Sequence, residues 1–101
     1  MTAGQAAMAA TADQIIDADA ARALHADACR DSPLVAWAVM WDEPAYPDRF
    51  TARLLTTKGL LPYVLIADTL AGVQEQLPPG LERLERQPVH PPEVVELWFV
   101  R

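Results

Sequence analysis

Hydrophobic and polar positions change their spacing several times along the 101-residue chain, and each change marks an element. Residues 34–41 (LVAWAVMW) are apolar at every position. An extended segment of this kind puts Val35, Trp37, Val39 and Trp41 on one face and Leu34, Ala36, Ala38 and Met40 on the other. Both faces then need a cover. A short helix with Ser32 as cap and Pro33 at its first position is the rival reading, but the length and the Val/Trp content favour a strand. Residues 49–57 alternate instead, so Phe50, Ala52 and Leu54 are expected to face in while Arg49, Thr51 and Arg53 face water. Lys58-Gly59 supplies a turn, and residues 63–67 (YVLIA) form the returning strand of a hairpin. Residues 93–100 form the last strand, with Val95, Leu97 and Phe99 on one face and Val94, Glu96 and Trp98 on the other.

Two segments carry the longer helical period. Thr11 followed by Gln14 makes a capping box ahead of Ile15 and Ile16, which predicts a helix from there to Asp31-Ser32-Pro33. Its apolar stripe, Ile16, Ala20, Leu24 and Ala28, is narrow and mostly small. Asp13, Asp17 and Asp19 occupy the end where the helix dipole favours negative charge. Asp68-Thr69 caps a second helix with Leu70, Val73 and Leu77 on its apolar side, and Pro78-Pro79-Gly80 stops it. Residues 42–48 read as a loop because two prolines and three acids punctuate them. Residues 81–92, pinned by Leu81 and Leu84 but broken by Pro88, Pro91 and Pro92, read as an ordered loop.

The order is therefore α-βββ-α-β, an α+β class. An Ala-rich extension and helix over residues 1–33 precede a single α+β domain over 34–101. Successive hairpins make the first three strands antiparallel. The helix after them is a right-handed crossover that should return a parallel partner. The strand with two apolar faces suits a central place, so the four-stranded mixed sheet is expected in the order 3-2-1-4.

Composition narrows the function. A hydrophobic content of 51% suffices for a core, while the net charge of −6 disfavours nucleic acid and anionic membrane as partners. The acids are spread along the chain rather than set in one dense row, so they read as a solvated surface. Cys29 is the single cysteine, which excludes an internal disulfide and suits a reducing cytoplasm. The first twelve residues lack the cations and the Leu-rich run of a signal peptide, and no 18-residue apolar stretch exists to span a bilayer. Seven arginines against one lysine, with 14 alanines before residue 39, fit a GC-rich bacterial genome.

Candidate chemistry is sparse. His25 and Cys29 stand four apart on the first helix, a spacing that can present two metal ligands, but no third or fourth ligand completes a site. Cys29 as a nucleophile has only His25 as a base and Arg30 as a neighbouring cation, with no orienting group or oxyanion hole. A two-metal nuclease needs carboxylates on the central strand. Residues 34–41 hold none, Asp42 comes only at their end, and Glu96 reads as solvated. No catalytic residue, metal or cofactor is expected. Trp37, Trp41 and Trp98 with Tyr63 are the candidates for a protein-interaction surface, since tryptophan is enriched at interfaces and rarely fully buried.

The expected function is that of a non-catalytic interaction module, with a protein partner or a second copy bound through that surface or through the sheet edges 63–67 and 94–100. The alternative is a small-molecule-binding or weakly enzymatic domain, its site where Arg49, Arg53, Tyr63 and His90 would converge at one end of the sheet. The stretch PYVLIADTL, with LPPGL and then RQPVHPPEVVELW, resembles small uncharacterised proteins of alphaproteobacteria over roughly the C-terminal half. The strand-Asp-Thr-Leu junction at Ala67-Asp68-Thr69-Leu70, with three strands before it and one after the helix, is similar to the N-terminal domain of HicB-type antitoxins. That likeness implies a regulator acting on a protein partner.

Overall fold

A computed structural model of the chain describes residues 13–90 and 92–100. In chain order its elements are β1 (Gln14–Ile15), α1 (Ala18–Asp31), β2 (Val35–Glu43), β3 (Tyr46–Thr56), β4 (Gly59–Ala67), α2 (Leu70–Glu75), β5 (Leu81–Glu85) and β6 (Val94–Val100). The fold is α+β, with an N-terminal helix and a mixed sheet. The sheet has six strands rather than four, in the order β1-β4-β3-β2-β6-β5. β1 lies parallel to β4, and every other neighbouring pair is antiparallel. No helix among the described residues is long and apolar enough to cross a membrane.

The two additional strands displace expected elements. Gln14 and Ile15 pair with Tyr63 and Val64, and the Ile16 amide donates to the Val64 carbonyl at 2.9 Å. The first helix therefore starts late. Asp17 is its N-cap, accepting from the Ala20 amide at 2.8 Å. Aspartate caps as well as threonine does, and the β-branched pair ahead of it prefers a strand. Thr11, the expected cap, lies outside the described residues.

β5 occupies part of the expected loop 81–92 and pairs along its length with β6. The crossover from β4 through α2 thus returns a parallel strand, but that strand is β5 at the edge. β6 then folds back between β5 and β2, antiparallel to both, which corrects the expected parallel pairing of the last strand. The four expected strands keep the relative order β4-β3-β2-β6 inside the larger sheet. The expected edges, 63–67 and 94–100, are consequently not bare. β1 pairs with part of the first, where the Gln76 side-chain amide also donates to the Ile66 carbonyl, and β5 covers the second.

The expected loop 42–48 is mostly strand, with only Pro44-Ala45 left as a turn. Asp42 and Asp48 both take φ 59°, a left-handed conformation that aspartate tolerates, and the Asp42 carboxylate accepts from the Asp48 amide at 2.8 Å. This tight end keeps Glu43 and Tyr46 directly opposed.

The sheet presents two apolar faces. Trp37 and Val39 of β2, Ala52 and Leu54 of β3 and Leu65 of β4 form the main core beneath Ala21 of α1 and Val73 of α2. Alanine at position 21 lets the helix backbone approach closely, so a stripe of small residues still seals this side. On the opposite face Ala38, Met40, Val94 and Leu97 form a second cluster flanked by Phe99, and no helical residue belongs to it. A register shift between Val39 and Met40 opposite β6 explains the membership of Val94. It sends Val94 to join Leu97 and Phe99, while Val95 and Trp98 pack on the main core, reversing the expected sides of Val94 and Val95.

Candidate functional site

The open face is organised around Arg53. It sits opposite Ala38 in β2 and Val64 in β4, and its alternation with Ala52 and Leu54 sends it away from the main core. It is largely withdrawn from water. Its Nε donates to Glu43 Oε1 at 2.9 Å, while Nη1 and Nη2 donate to the two Asp13 oxygens at 2.8 and 2.9 Å. Nη2 also lies 2.8 Å from Glu43 Oε1. The side chains of Arg53, Asp13 and Glu43 are only 12, 16 and 11% exposed. Thr51, fully buried, donates its hydroxyl to Glu43 Oε2. Tyr46 donates to Asp13 Oδ2 at 3.0 Å and lays its ring 5.9 Å from the Arg53 guanidinium carbon. The expectation that Thr51 and Arg53 face water is therefore corrected. Carboxylates from the hairpin end and from the residue before β1 close over them.

The titrations follow from this geometry. Hydrogen bonding from Arg53 holds the Asp13 carboxyl below its ordinary value against the cost of burial. The Asp13 bond raises Arg53 still further above its ordinary range. Desolvation, helped by the bond to Asp13, raises the Tyr46 phenol. A network in which each charged group meets an opposite charge, and no described buried side-chain nitrogen or oxygen lacks a partner, tolerates burial that no lone member would.

Beside this network lies a cavity of about 520 Å³. Its floor is apolar: Ala38 and Met40 of β2, Leu55 of β3, Leu60 of β4 and Leu97 of β6. Glu43, Arg53, His90 and Glu93 stand around it. His90 reaches it from the turn between β5 and β6, where its Nδ1 accepts from the Gln87 amide at 2.9 Å. The neutral ring must then carry its proton on Nε2.

The cavity brings together two of the four residues expected at a ligand site, Arg53 and His90. Arg49 pairs instead with Asp68 at 2.8 Å on the surface. Tyr63 lines a separate cleft of about 270 Å³ with Leu24, Leu54 and Lys58, on the side covered by α1. The tryptophans share the helix-covered face but do not form one exposed surface. Trp37 is wholly buried, Trp98 is half-buried with its indole N–H on Glu96 Oε1 at 2.9 Å, and Trp41 is 40% exposed against Phe50. Glu96, expected to be solvated, is buried and also accepts from Gln74 at 2.6 Å.

His25 and Cys29 do meet, with Nε2 and Sγ 3.6 Å apart. However, the Trp37 indole N–H occupies His25 Nδ1 at 3.1 Å. The neutral imidazole then points its Nε2 proton at the sulfur, so that nitrogen cannot accept the thiol proton. Burial lowers the His25 pKa and keeps the ring neutral. Among the described residues no three His, Cys, Asp or Glu side chains are grouped to hold a metal.

Sequence reasoning missed Asp13, Glu43, Tyr46 and Glu93. Only Glu43 and Tyr46 carry a local signal, as an acid and an aromatic flanking the Pro44-Ala45 turn that sets them opposite each other. The chain matches no family model, no curated protein and no solved structure.

Proposed function

We propose that this chain is a non-catalytic protein-interaction module, an inhibitor, antitoxin-like regulator or accessory subunit, that binds its partner through the open face of the sheet. The observation that carries the reading is an apolar sheet face with no helix among the described residues on it, whose buried charges are already bonded to one another. A metabolite site offers several convergent polar groups awaiting a ligand. Here each guanidinium nitrogen is already bonded to Asp13 or Glu43 and the floor is aliphatic, which suits the side chains of another protein. A cytoplasmic setting fits the exposed, unpaired Cys29.

The test is co-purification from the native host at physiological salt, with Leu60→Glu as the control. Leu60 is 52% exposed on this face, so the substitution leaves the fold in place. A partner, or a second copy, recovered with the wild type and lost with the variant supports the reading. Recovery of the wild-type chain alone as a single 11.1 kDa species overturns it.

A second reading, a small-molecule-binding domain, is favoured by the cavity itself. Its volume of about 520 Å³ lies within the range of ligand pockets, and Arg53 and His90 both line it. A thermal-shift screen of metabolites with no shift above noise removes this reading.

A further inference from the structure

We infer that the segment seated on the open face is a basic amphipathic helix of the partner, with apolar side chains in the cavity and a lysine or arginine against Glu93. This rests on the interaction-module reading above.

Three observations point to it. The sheet edges are poor docking sites: β1 has two residues, β4 beyond it is interrupted by Pro62 and gives its Ile66 carbonyl to Gln76, and β5 carries Glu82, Arg83 and Glu85 among its five. Short and charged edges resist strand addition, so a partner is directed to the face. The face is broad enough for a helix. Its apolar floor runs from Leu60 of β4 across Met40 to Leu97 of β6, and a sheet face without a helix is completed by one that lays an apolar stripe across it.

Charge selects the sign of the helix. Asp13, Glu43 and Glu93 stand on or beside the cavity, with Glu82 further along the same face, opposite Phe99. Arg53 stands among them, bonded to Asp13 and Glu43, which leaves that trio with a single net negative charge beside Glu93. Arg86, on the loop that carries His90, bonds the His90 carbonyl oxygen. Glu93 lines the cavity and makes no side-chain hydrogen bond or ion pair with the described residues. A carboxylate held beside an aliphatic floor calls for a cation at the border of an apolar stripe. The chain's net charge of −6 favours encounter with a basic partner. His90 Nε2–H, also without a described partner, remains to donate to an oxygen of the bound segment.

The experiment uses the full chain and two dye-labelled 16-residue peptides that share a leucine stripe at helical spacing, one with lysines along its border and one with glutamates. Fluorescence anisotropy should show saturable binding of the lysine peptide and none of the glutamate peptide. Glu93→Gln should weaken the lysine peptide about two- to fivefold, the range of an exposed ion pair, and Leu60→Glu should abolish binding. Equal binding of both peptides overturns the charge assignment. A response to dodecylamine with none to either peptide overturns the helix and assigns the cavity to a small amphiphile. If neither peptide binds while co-purification still recovers a partner that Leu60→Glu loses, the helix inference falls and the interaction reading stands. If nothing co-purifies either, both fall.

Discussion

The two faces of this sheet are equally apolar along β2 and yet are finished in opposite ways. On one, Trp37 and Val39 lie under α1 and α2, and the polar groups present serve the packing, as when the Trp37 indole bonds His25. On the other, no helix among the described residues lies above Ala38 and Met40, and an ionic network around Arg53 closes part of the surface instead. The helical cover lies over the largest core side chains and stabilises by excluding water from them. An ionic cover is local. It holds the hairpin end against the sheet and leaves aliphatic floor beside it. One face is thus committed to folding, while the other has surface left for binding.

The contrast is broken most severely at Arg53. Arg53→Met strands Asp13 and Glu43 as buried, unpaired carboxylates, and should cost about 3–5 kcal/mol in chemical denaturation. Adding Glu43→Gln and Asp13→Asn should recover part of that loss, because no uncompensated charge then remains. On the helix-covered face, Leu65→Ala opens a cavity at a fully buried position and should cost about 2–5 kcal/mol, with no recovery from any charge change.

Acidification gives a smaller effect with a defined sign. Burial lowers the His25 pKa below 6.5, so the unfolded chain binds the proton more readily than the folded one. The contribution is fully present above 6.5 and is lost as pH falls from there, since a proton on Nδ1 also ends the Trp37 bond. Melting temperature should therefore decline between pH 7.5 and 5, and His25→Gln should flatten that slope. Smallest of all, Leu60→Ser on the open face should change stability by no more than about 0.5 kcal/mol. If it costs as much as Leu65→Ala, the open face is part of the folding core and the comparison collapses.

Much of this architecture is legible in the residues. The unbroken apolar run around Trp37 marks a central strand, and the alternation through Ala52 and Leu54 marks its neighbour. Asp68-Thr69 announces α2, where Thr69 indeed accepts from the Gly72 amide. Less legible is β5, because LERLE has few apolar residues and is followed by prolines that signal a loop. β1 is two residues long and invisible to any periodicity. The Arg53 site was hidden for a different reason. Alternation correctly turns Arg53 away from the main core, but whether that side is wet depends on chain closing over it from Glu43 and from Asp13. Nothing local ties Asp13 to Arg53, so the ion pair belongs to tertiary structure alone.

The placement of β6 between β2 and β5 also governs the order of assembly. β6 follows the other five described strands in the chain, yet it pairs Phe99 with Ala36 near the middle of the sheet. Until it arrives, β2 shows an unpaired apolar edge and β5 has no neighbour. Pairing across so much sequence is slow, because the loop must close before any contact rewards it. Nascent chains stalled before Val94 would carry the apolar β2 with one edge uncovered, which makes the interval before β6 emerges a period of aggregation risk.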